Sequence, residues 1–442
     1  MGIKINSILE APPIPNLENE YWGPGLSNED DFSIKPFKIN VSDQVLDVLK
    51  AKLNQPLILT QPLEGVQQQY GMNTNLLTKV IEFWKTKYNW REREQYLNKF
   101  PQFKTKIQGL DIHFIHSKPA VTDGKDVVPI LLLHGWPGSV REFYELIPIL
   151  TKLRENKNFV FEVIVPSLPG FGFSDGAVKP GLGVGHMSAM FKILMNRLGF
   201  DKFYVHGGNW GFFIGQYMSA FYPNHVLGFH SNMCMSQAYL SELKLVIGSI
   251  YPPLVVDKSS EHRMYPLSHT ILNYLLELGY VHLHATKPDT IGIALRDSPV
   301  GLAAHILEKF STWTNRDWKN REDGGLELKF KYADLLDNVM IYWVTGCITT
   351  SIRLYSEHAS LKQFGTKWDQ IPVQVPTACV RFENDLAYFS ETILEGTFKK
   401  LVQINDVQNA GHFAAFEEPE LMANDIWSAV DQFRRVHKEA TI

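Results

Sequence analysis

A strand, a tight turn and the start of a helix are encoded by Phe203-Tyr204-Val205-His206-Gly207-Gly208-Asn209-Trp210-Gly211-Phe212. The apolar start of this segment predicts the strand, and the pattern that continues to Phe221 predicts the helix. Gly207 and Gly211 lie two positions before and after Asn209, where larger side chains would clash with the sheet or the helix. The segment therefore predicts a strained turn centred on Asn209, the geometry that presents a nucleophile.

Short apolar segments alternate with helical patterns on both sides of this turn. The expected strands are Ile107–Phe114, Val128–Leu133, Phe159–Val165, Phe203–Val205 and Val373–Phe382, and the expected crossover helices are Val140–Leu150 and Met187–Leu198. One more strand and a helix are expected within Leu401–His437. The alternation predicts an α/β fold with a mostly parallel central sheet flanked by helices.

Four regions differ in texture along the chain. Residues 1–100 combine an extended arm, rich in Pro and Asn up to residue 30, with a helical segment. Residues 101–230 are expected to form the first part of the α/β core, and residues 372–442 its last part. Residues 231–371 are helical and aromatic, which predicts a cap domain inserted over the carboxyl edge of the sheet.

The composition excludes several classes of partner. The formal net charge is −4 and the charges are spread along the chain, so no basic stripe predicts binding to nucleic acid, and a small neutral partner is expected. The longest candidate for a membrane span, near Leu243–Val256, is broken by Pro252 and Pro253, and the start of the chain lacks the layout of a signal peptide. The chain as written is expected to be soluble.

The three cysteines, Cys234, Cys347 and Cys379, are scattered and have no metal-ligand spacing. They are interpreted as small buried apolar residues in a reducing compartment, with no disulfide framework and no catalytic role. No metal site is expected from them.

The turn after Val128–Leu133 supplies a second element of a site. In His134-Gly135-Trp136-Pro137-Gly138 a tight turn can aim the backbone N–H of Trp136 at Asn209. Together with the N–H of Trp210, this donor would form an oxyanion hole. His134 is interpreted as a structural histidine, because its place in the chain order does not suit a base.

A competing motif is Gly172-Phe173-Ser174-Asp175-Gly176, which matches the G-x-S-x-G pattern of serine hydrolases. That motif needs a helix directly after it, whereas Ala177-Val178-Lys179-Pro180-Gly181 predicts a loop. A glycine-rich loop that lines the pocket is therefore the preferred interpretation, and Ser174 as nucleophile ranks last.

A carboxylate and a histidine follow in the order nucleophile, acid, histidine. Asp385 comes after the expected strand Val373–Phe382, and His412 lies in the loop before the final helix. Asp385 is expected to orient His412, and Glu383, two residues earlier, is the alternative acid. The other interpretation of His412 is an ordinary histidine of a surface loop.

With these residues in hand, the chain resembles the microsomal-type epoxide hydrolases, in particular those of insects that act on juvenile hormone. The resemblance runs from residue 21 to residue 419 and implies an α/β-hydrolase fold with an inserted helical cap. The matching stretches are Tyr21-Trp22-Gly23-Pro24-Gly25, Phe103-Lys104-Thr105-Lys106-Ile107, His134-Gly135-Trp136-Pro137-Gly138, residues 286–313 and Gly411-His412-Phe413-Ala414-Ala415-Phe416.

The resemblance implies a reaction in two steps. A carboxylate at the turn attacks one epoxide carbon and forms an alkyl-enzyme ester. Two cap tyrosines, here Tyr280 and Tyr355, donate hydrogen bonds to the epoxide oxygen as it becomes an alkoxide. His412, oriented by Asp385, then activates a water that hydrolyses the ester, and the product is a vicinal diol, with no metal and no cofactor.

This sequence departs from the family at the nucleophile, where the family has aspartate and this chain has Asn209. A neutral amide lacks the charge and the basic oxygen of a carboxylate, so the first step should fail. Four interpretations follow: an enzyme scaffold disabled at alkylation, a dedicated binder of an apolar epoxide, hydrolysis of Asn209 to aspartate within the folded site, and a hydrolase that uses Ser174. Because Asp385, His412 and both tyrosines are kept, epoxide hydrolase is the expected function class.

The substrate implied by the resemblance is juvenile hormone, with other apolar epoxides as alternatives. Cap residues such as Leu272, Tyr274, Leu275 and Leu276 are expected to suit an apolar ligand in a largely dry pocket. The resemblance also implies an amino-terminal anchor in the endoplasmic reticulum membrane, which this sequence does not contain as given. The sequence does not predict an oligomeric state.

Overall fold

The computed structural model describes residues 11–26 and 30–439. The strands are β1 (Lys35–Phe37), β2 (Gln102–Ile107), β3 (Leu110–Ser117), β4 (Asp126–Leu133), β5 (Phe159–Pro166), β6 (Phe203–Gly207), β7 (Val226–Ser231), β8 (Thr377–Phe382) and β9 (Leu401–Val407). The helices before β7 are α1 (Asp43–Leu53), α2 (Thr74–Thr86), α3 (Trp90–Leu97), α4 (Leu146–Leu150), α5 (Val184–Arg197) and α6 (Trp210–Phe221).

The helices after β7 fall into two groups. Between β7 and β8 lie α7 (Tyr239–Ile250), α8 (Leu267–Glu277), α9 (Gly279–Thr286), α10 (Pro288–Asp297), α11 (Pro299–Thr312), α12 (Leu326–Lys329), α13 (Tyr332–Thr345), α14 (Ile348–His358) and α15 (Leu361–Thr366). After β8 lie α16 (Glu391–Leu394), α17 (Ala414–Glu417) and α18 (Pro419–Glu439).

All of these strands join one sheet in the order β1-β2-β3-β5-β4-β6-β7-β8-β9. The neighbouring pairs β5–β4, β4–β6, β6–β7, β7–β8 and β8–β9 are parallel, and the pairs β1–β2, β2–β3 and β3–β5 are antiparallel. Every residue of β5 and β6 is buried, as expected for strands covered on both faces by helices. The prediction of a mostly parallel sheet flanked by helices is confirmed.

The expected strand Ile107–Phe114 is wrong in its bounds. The chain turns at Gln108 and Gly109, which have φ values of 51° and 85°, and β2 and β3 pair as a hairpin with Ile107 opposite Leu110. Two successive positive φ values are typical of the two-residue turns that match strand twist. The expected helix Val140–Leu150 is also interrupted, because Val140–Phe143 is a single 3₁₀ turn that precedes α4.

The helical segment before β2 is tied to the rest by buried charges. Arg93 on α3 and Arg141 in the 3₁₀ turn both pair with Asp337 on α13. Arg141 and Asp337 have side chains exposed by 1% and 0%, and Asp334 accepts from both arginines at 2.7 Å. This ionic cluster joins three parts of the chain that are far apart in sequence.

The expectation that the cysteines are unpaired is wrong. Cys234, just after β7, and Cys379, in β8, form a disulfide across a sequence separation of 145 residues. The pairing of the parallel strands explains it, since Ser231 lies opposite Cys379. Disulfides persist in oxidising environments, so this bond does not fit the expected reducing compartment. Cys347 is free and buried, as expected.

In the described part of the chain, no helix is both long and apolar enough to cross a bilayer. The arm predicted for residues 1–30 is without helix or strand where the structure describes it, at residues 11–26 and 30, and the rest of it lies outside the described residues.

Candidate active site

The turn between β6 and α6 holds Asn209 at the head of the helix. Asn209 has φ 53° and ψ −125°, a strained conformation for a residue with a side chain. A Cβ on Gly207 would lie 2.3 Å from the carbonyl oxygen of Gly211, and one on Gly211 would lie 2.0 Å from that of Leu133. The glycine spacing therefore has the steric cause that the sequence predicted.

The side-chain oxygen of Asn209 is held by two backbone donors. Its Oδ1 accepts from the N–H of Trp136 at 3.0 Å and from the N–H of Trp210 at 2.8 Å. These are the two donors predicted for an oxyanion hole, and they converge on one oxygen. They also fix the orientation of the amide, because two N–H groups require an acceptor at that position.

The side-chain nitrogen of Asn209 faces His412. The distance from Asn209 Nδ2 to His412 Nε2 is 3.0 Å, and His412 Nδ1 lies 2.6 Å from Asp385 Oδ1. Because the amide donates to Nε2, the proton of a neutral imidazole is on Nδ1 and points at Asp385. Asp385 and His412 are both buried, whereas Glu383 is exposed and lines a neighbouring cavity. The geometry favours Asp385 over Glu383.

Both predicted tyrosines lie on helices between β7 and β8, and each packs against a tryptophan whose N–H binds Asn209. Tyr280 of α9 stacks on the indole of Trp136 at 5.3 Å, and Tyr355 of α14 packs edge-on against Trp210 at 4.7 Å. The two phenol rings are 5.9 Å apart. Burial raises the pKa of both phenols, so both keep their protons as donors at neutral pH.

The candidate site lies at one edge of the sheet, in the loops that follow four of the strands. His134 follows β4, Asn209 follows β6, Asp385 follows β8 and His412 follows β9, and these strands run parallel. The carboxyl ends of parallel strands meet at one edge of a sheet, the usual place for a site in an α/β fold.

Ser174 and His134 have other partners. The hydroxyl of Ser174 donates to the carbonyl oxygen of Ser167 at 2.7 Å and accepts from the N–H of His113 at 2.9 Å. His134 is buried, its Nε2 accepts from the N–H of Leu168, and burial lowers its pKa to about 4. Both contacts are those of structural residues.

Three supporting residues escaped the sequence analysis. Gly135 lies against Asn209, and a Cβ there would be 2.3 Å from the Cβ of Asn209. Glu417 accepts from the N–H of Gly411 and from the N–H of Phe413, both at 2.8 Å, and so grips the chain on each side of His412. On α13, Asn338 donates to the carbonyl oxygen of Pro137 at 2.7 Å.

Different signals could have revealed these residues. Gly135 belongs to the motif at residues 134–138, and it lies close to residue 209 because β4 and β6 are neighbours in the sheet. Glu417 lies five residues after His412, but Asn338 is 201 residues from Pro137, so no local pattern could have found it.

A cavity of about 540 Å³ has Trp313 among its lining residues, whereas Asn209, Asp385, His412, Tyr280 and Tyr355 do not line it. The indole of Trp313 packs on the imidazole of His412 at 5.1 Å. Charged and polar side chains also line the cavity, namely His262, Arg263, His269, Glu277, Arg316, Lys319, Glu383 and Asp406. Of the four cap residues expected in a dry pocket, only Tyr274 lines this cavity, and Leu272, Leu275 and Leu276 are exposed by 52%, 72% and 71%. That expectation is wrong for the three leucines.

Two family models match the chain. The model described as "Epoxide hydrolase N terminus" matches residues 34–143, and the model described as "alpha/beta hydrolase fold" matches residues 128–419. Together the two models cover the helices α1 to α3 and all of the candidate site residues.

Named relatives match over nearly the full length. Juvenile hormone epoxide hydrolase 1 of Ctenocephalides felis is 51% identical over 98% of this chain and 93% of its own length. Epoxide hydrolase 1 of Oryctolagus cuniculus is 43% identical over 95% of this chain and 94% of its own. The crystal structure of juvenile hormone epoxide hydrolase from the silkworm Bombyx mori superposes with a TM-score of 0.93 and 47% identity, covering 96% of this chain and 100% of that one. The epoxide hydrolase of Aspergillus niger superposes with a TM-score of 0.75 and 29% identity, covering 91% and 97%.

Proposed function

This chain belongs to the epoxide hydrolase family, and we propose that its site opens an apolar epoxide of the juvenile hormone type to a vicinal diol once residue 209 carries a carboxylate. With Asn209 in place, the chain binds the epoxide and does not turn it over. The observation that carries the proposal is the convergence of Asn209, His412 and Asp385 on hydrogen bonds of 3.0 and 2.6 Å.

The orientation of the amide explains the block. In the carboxylate form one oxygen would take the place of Oδ1 between the N–H groups of Trp136 and Trp210, and the second oxygen would take the place of Nδ2. That second oxygen is the attacking atom. In Asn209 the atom at this position is an amide nitrogen, which donates to His412 and whose lone pair is delocalised into the carbonyl group. Alkylation at the epoxide carbon therefore lacks its nucleophile.

The remaining groups have defined proposed roles. Tyr280 and Tyr355 donate to the epoxide oxygen and supply the proton as the ring opens. His412 Nε2 then takes a proton from the water that attacks the ester carbon, and Asp385 stabilises the imidazolium that forms. The N–H groups of Trp136 and Trp210 stabilise the oxyanion of this second step. The reaction needs no metal and no cofactor.

The substrate class rests on the relatives and on the aromatic surroundings of the site. Trp136, Tyr280, Tyr355 and Trp313 form the ring cluster around residue 209. Such rings favour an apolar chain that carries one polar reacting group. The cavity beside Trp313 is the proposed route of approach. By family, the proposed location is the endoplasmic reticulum, at its membrane, where apolar epoxides concentrate.

The first prediction is that Asn209→Asp produces a working hydrolase. Diol formation from juvenile hormone should rise from background in the freshly made chain to steady multiple turnover in the variant, because the attacking oxygen is restored. The measurement is chromatography of diol against time at equal protein concentration, with Asn209→Ala as the matched inactive control. A variant that binds the epoxide saturably and forms no diol would instead identify the chain as a dedicated binding protein.

A further inference from the structure

We propose that the folded chain converts Asn209 to aspartate itself, by hydrolysing the side-chain amide with the groups that would hydrolyse an ester at this position. The inference rests on the proposed function, because it assigns the second step of the ester chemistry to an amide. It makes Asn209 a modification site and the chain its own activating enzyme.

The contacts of Asn209 are those of a bound acyl substrate. Its carbonyl oxygen accepts from the N–H groups of Trp136 and Trp210 at 3.0 and 2.8 Å, which polarise the bond to Cγ and stand ready to hold a negative charge. Its nitrogen, which would be the leaving group, lies 3.0 Å from His412 Nε2. The carbonyl oxygen is therefore already hydrogen-bonded to its two donors, and the leaving nitrogen to the proton carrier, before a water arrives.

The step is a hydrolysis that balances without a further reactant. A water oxygen bonds to Cγ of Asn209 while its proton passes to His412 Nε2, and Oδ1 becomes an oxyanion in the two N–H donors. His412 then gives that proton to Nδ2, the bond from Cγ to Nδ2 breaks, and ammonia leaves. One water is consumed, one ammonia is released, and the product is an aspartate at position 209. Asp385 stabilises the imidazolium between the two proton transfers, as in other base-and-acid histidines.

The proposed step requires a water to reach Cγ of Asn209, and Asn209 is half-buried, whereas its neighbours Gly207 and Trp210 are buried. The side chain that would receive the water's proton, His412, is held firmly by its backbone neighbours. Its own N–H donates to the carbonyl oxygen of Trp313 at 2.9 Å, and Glu417 accepts from the N–H groups on both sides. The proton carrier is thus fixed relative to the amide.

Ordinary deamidation of asparagine follows another route and leaves another product. There the backbone nitrogen of the next residue attacks Cγ, and the cyclic product opens to a mixture that contains isoaspartate. In this turn the next nitrogen, that of Trp210, begins α6 and directs its hydrogen at Oδ1. Attack by water predicts aspartate alone. Asn409, an exposed residue of a loop with φ 65°, is an internal standard for the ordinary route.

The test follows the full-length chain, freshly purified, during incubation in buffer at neutral pH. Intact mass and the peptide that contains residue 209 are measured with time, together with diol formation. We expect a gain of about one dalton at residue 209, no isoaspartate there, and diol formation that rises in proportion to the converted fraction. His412→Gln should slow the mass gain by about a hundredfold or more, since it removes the proton carrier. His225→Ala, a surface histidine away from the site, is the matched control and should convert like the parent chain.

Three results would overturn the inference: no mass gain at residue 209, an equal gain in His412→Gln, or isoaspartate at residue 209 in the proportion seen at Asn409. The isoaspartate measurement uses the unmodified chain and does not depend on the folding of a variant. If Asn209→Asp forms diol while the parent never gains mass, the inference fails and the proposed function stands. If the parent gains mass at residue 209 and neither protein forms diol, the proposed function fails and the inference stands.

Discussion

At the scale of single residues, one atom separates the two chemical states of this site. The nitrogen of Asn209 takes the place of a carboxylate oxygen, and its hydrogen bonds to neighbouring groups remain satisfied. The amide of Asn209 therefore fits this position with its hydrogen bonds satisfied, and under the proposed function it lacks only the attacking oxygen. Under the proposed function, the loss lies in the alkylation step and binding of the epoxide stays intact.

The two phenols give a prediction about pH at this scale. In the Asn209→Asp background, Tyr355→Phe and Tyr280→Phe should each lower kcat by about 10- to 100-fold, because each removes one donor to the developing alkoxide. Burial raises the pKa of both phenols above their ordinary value of about 10, so the donating, protonated form persists as the pH rises. The rate should not fall between pH 7 and 10 through loss of these protons. A fall in that range that disappears in either Phe variant would contradict the assignment.

The sequence predicted the parts of the site that depend on local sterics and chain order. The spacing of Gly207 and Gly211 predicted the strained turn, and the chain order predicted that Asn209, Asp385 and His412 lie together, as they do. The bond between Cys234 and Cys379 was missed, because it depends on which strands are neighbours and not on spacing.

At the scale of elements, short loops are held in place by side chains from neighbouring segments. Asn338 and Tyr342 of α13 donate to the carbonyl oxygens of Pro137 and Gly138, at 2.7 and 2.8 Å, and so fix the turn that carries the N–H of Trp136. Glu417, at the end of α17, performs the same task for the His412 loop. The inserted helices therefore hold the turn that carries Trp136 as well as packing on its indole.

Glu417→Gln tests the loop support in the Asn209→Asp background. Both carboxyl oxygens of Glu417 accept a backbone N–H, whereas an amide offers one oxygen, so one N–H beside His412 loses its partner and the imidazole is held less firmly. We expect kcat to fall by about tenfold or more while KM changes little, since a displacement of about 1 Å in a catalytic group can cost about a hundredfold. Glu418→Gln, at the neighbouring position, is the control. Equal effects on KM and thermal stability, with kcat unchanged, would make Glu417 a purely structural residue.

At the scale of the whole molecule, the amino-terminal helices and the insertion are joined by the buried ionic cluster. Asp337 is fully buried and pairs with Arg93 of α3 and with Arg141 of the 3₁₀ turn Val140–Phe143. Burial raises the pKa of this carboxyl, and the two guanidinium groups oppose that rise. The cluster thus joins α3 to α13 and to the 3₁₀ turn at Arg141.

Asp337→Asn should destabilise the protein by about 3–5 kcal/mol, because it leaves the buried guanidinium group of Arg141 and the half-buried one of Arg93 without their main counter-charge. The measurement is urea unfolding followed by fluorescence. Asp289→Asn is the matched control, since Asp289 pairs with Arg353 at the surface with exposures of 63% and 46%, and its loss should cost about 1 kcal/mol or less. Equal losses in the free energy of unfolding would show that the buried cluster stabilises the protein no more than the surface pair does.

The covalent step can be observed directly as a change in the mass of the protein when an epoxide is added and the second step is blocked. In the double variant Asn209→Asp, His412→Gln, the carboxylate can attack and the water cannot be activated, so the ester should accumulate. We expect a covalent mass gain equal to one substrate molecule, located by peptide mapping on residue 209, and no gain in His412→Gln alone. An adduct on any other residue, or none at all with substrate demonstrably bound, would contradict it.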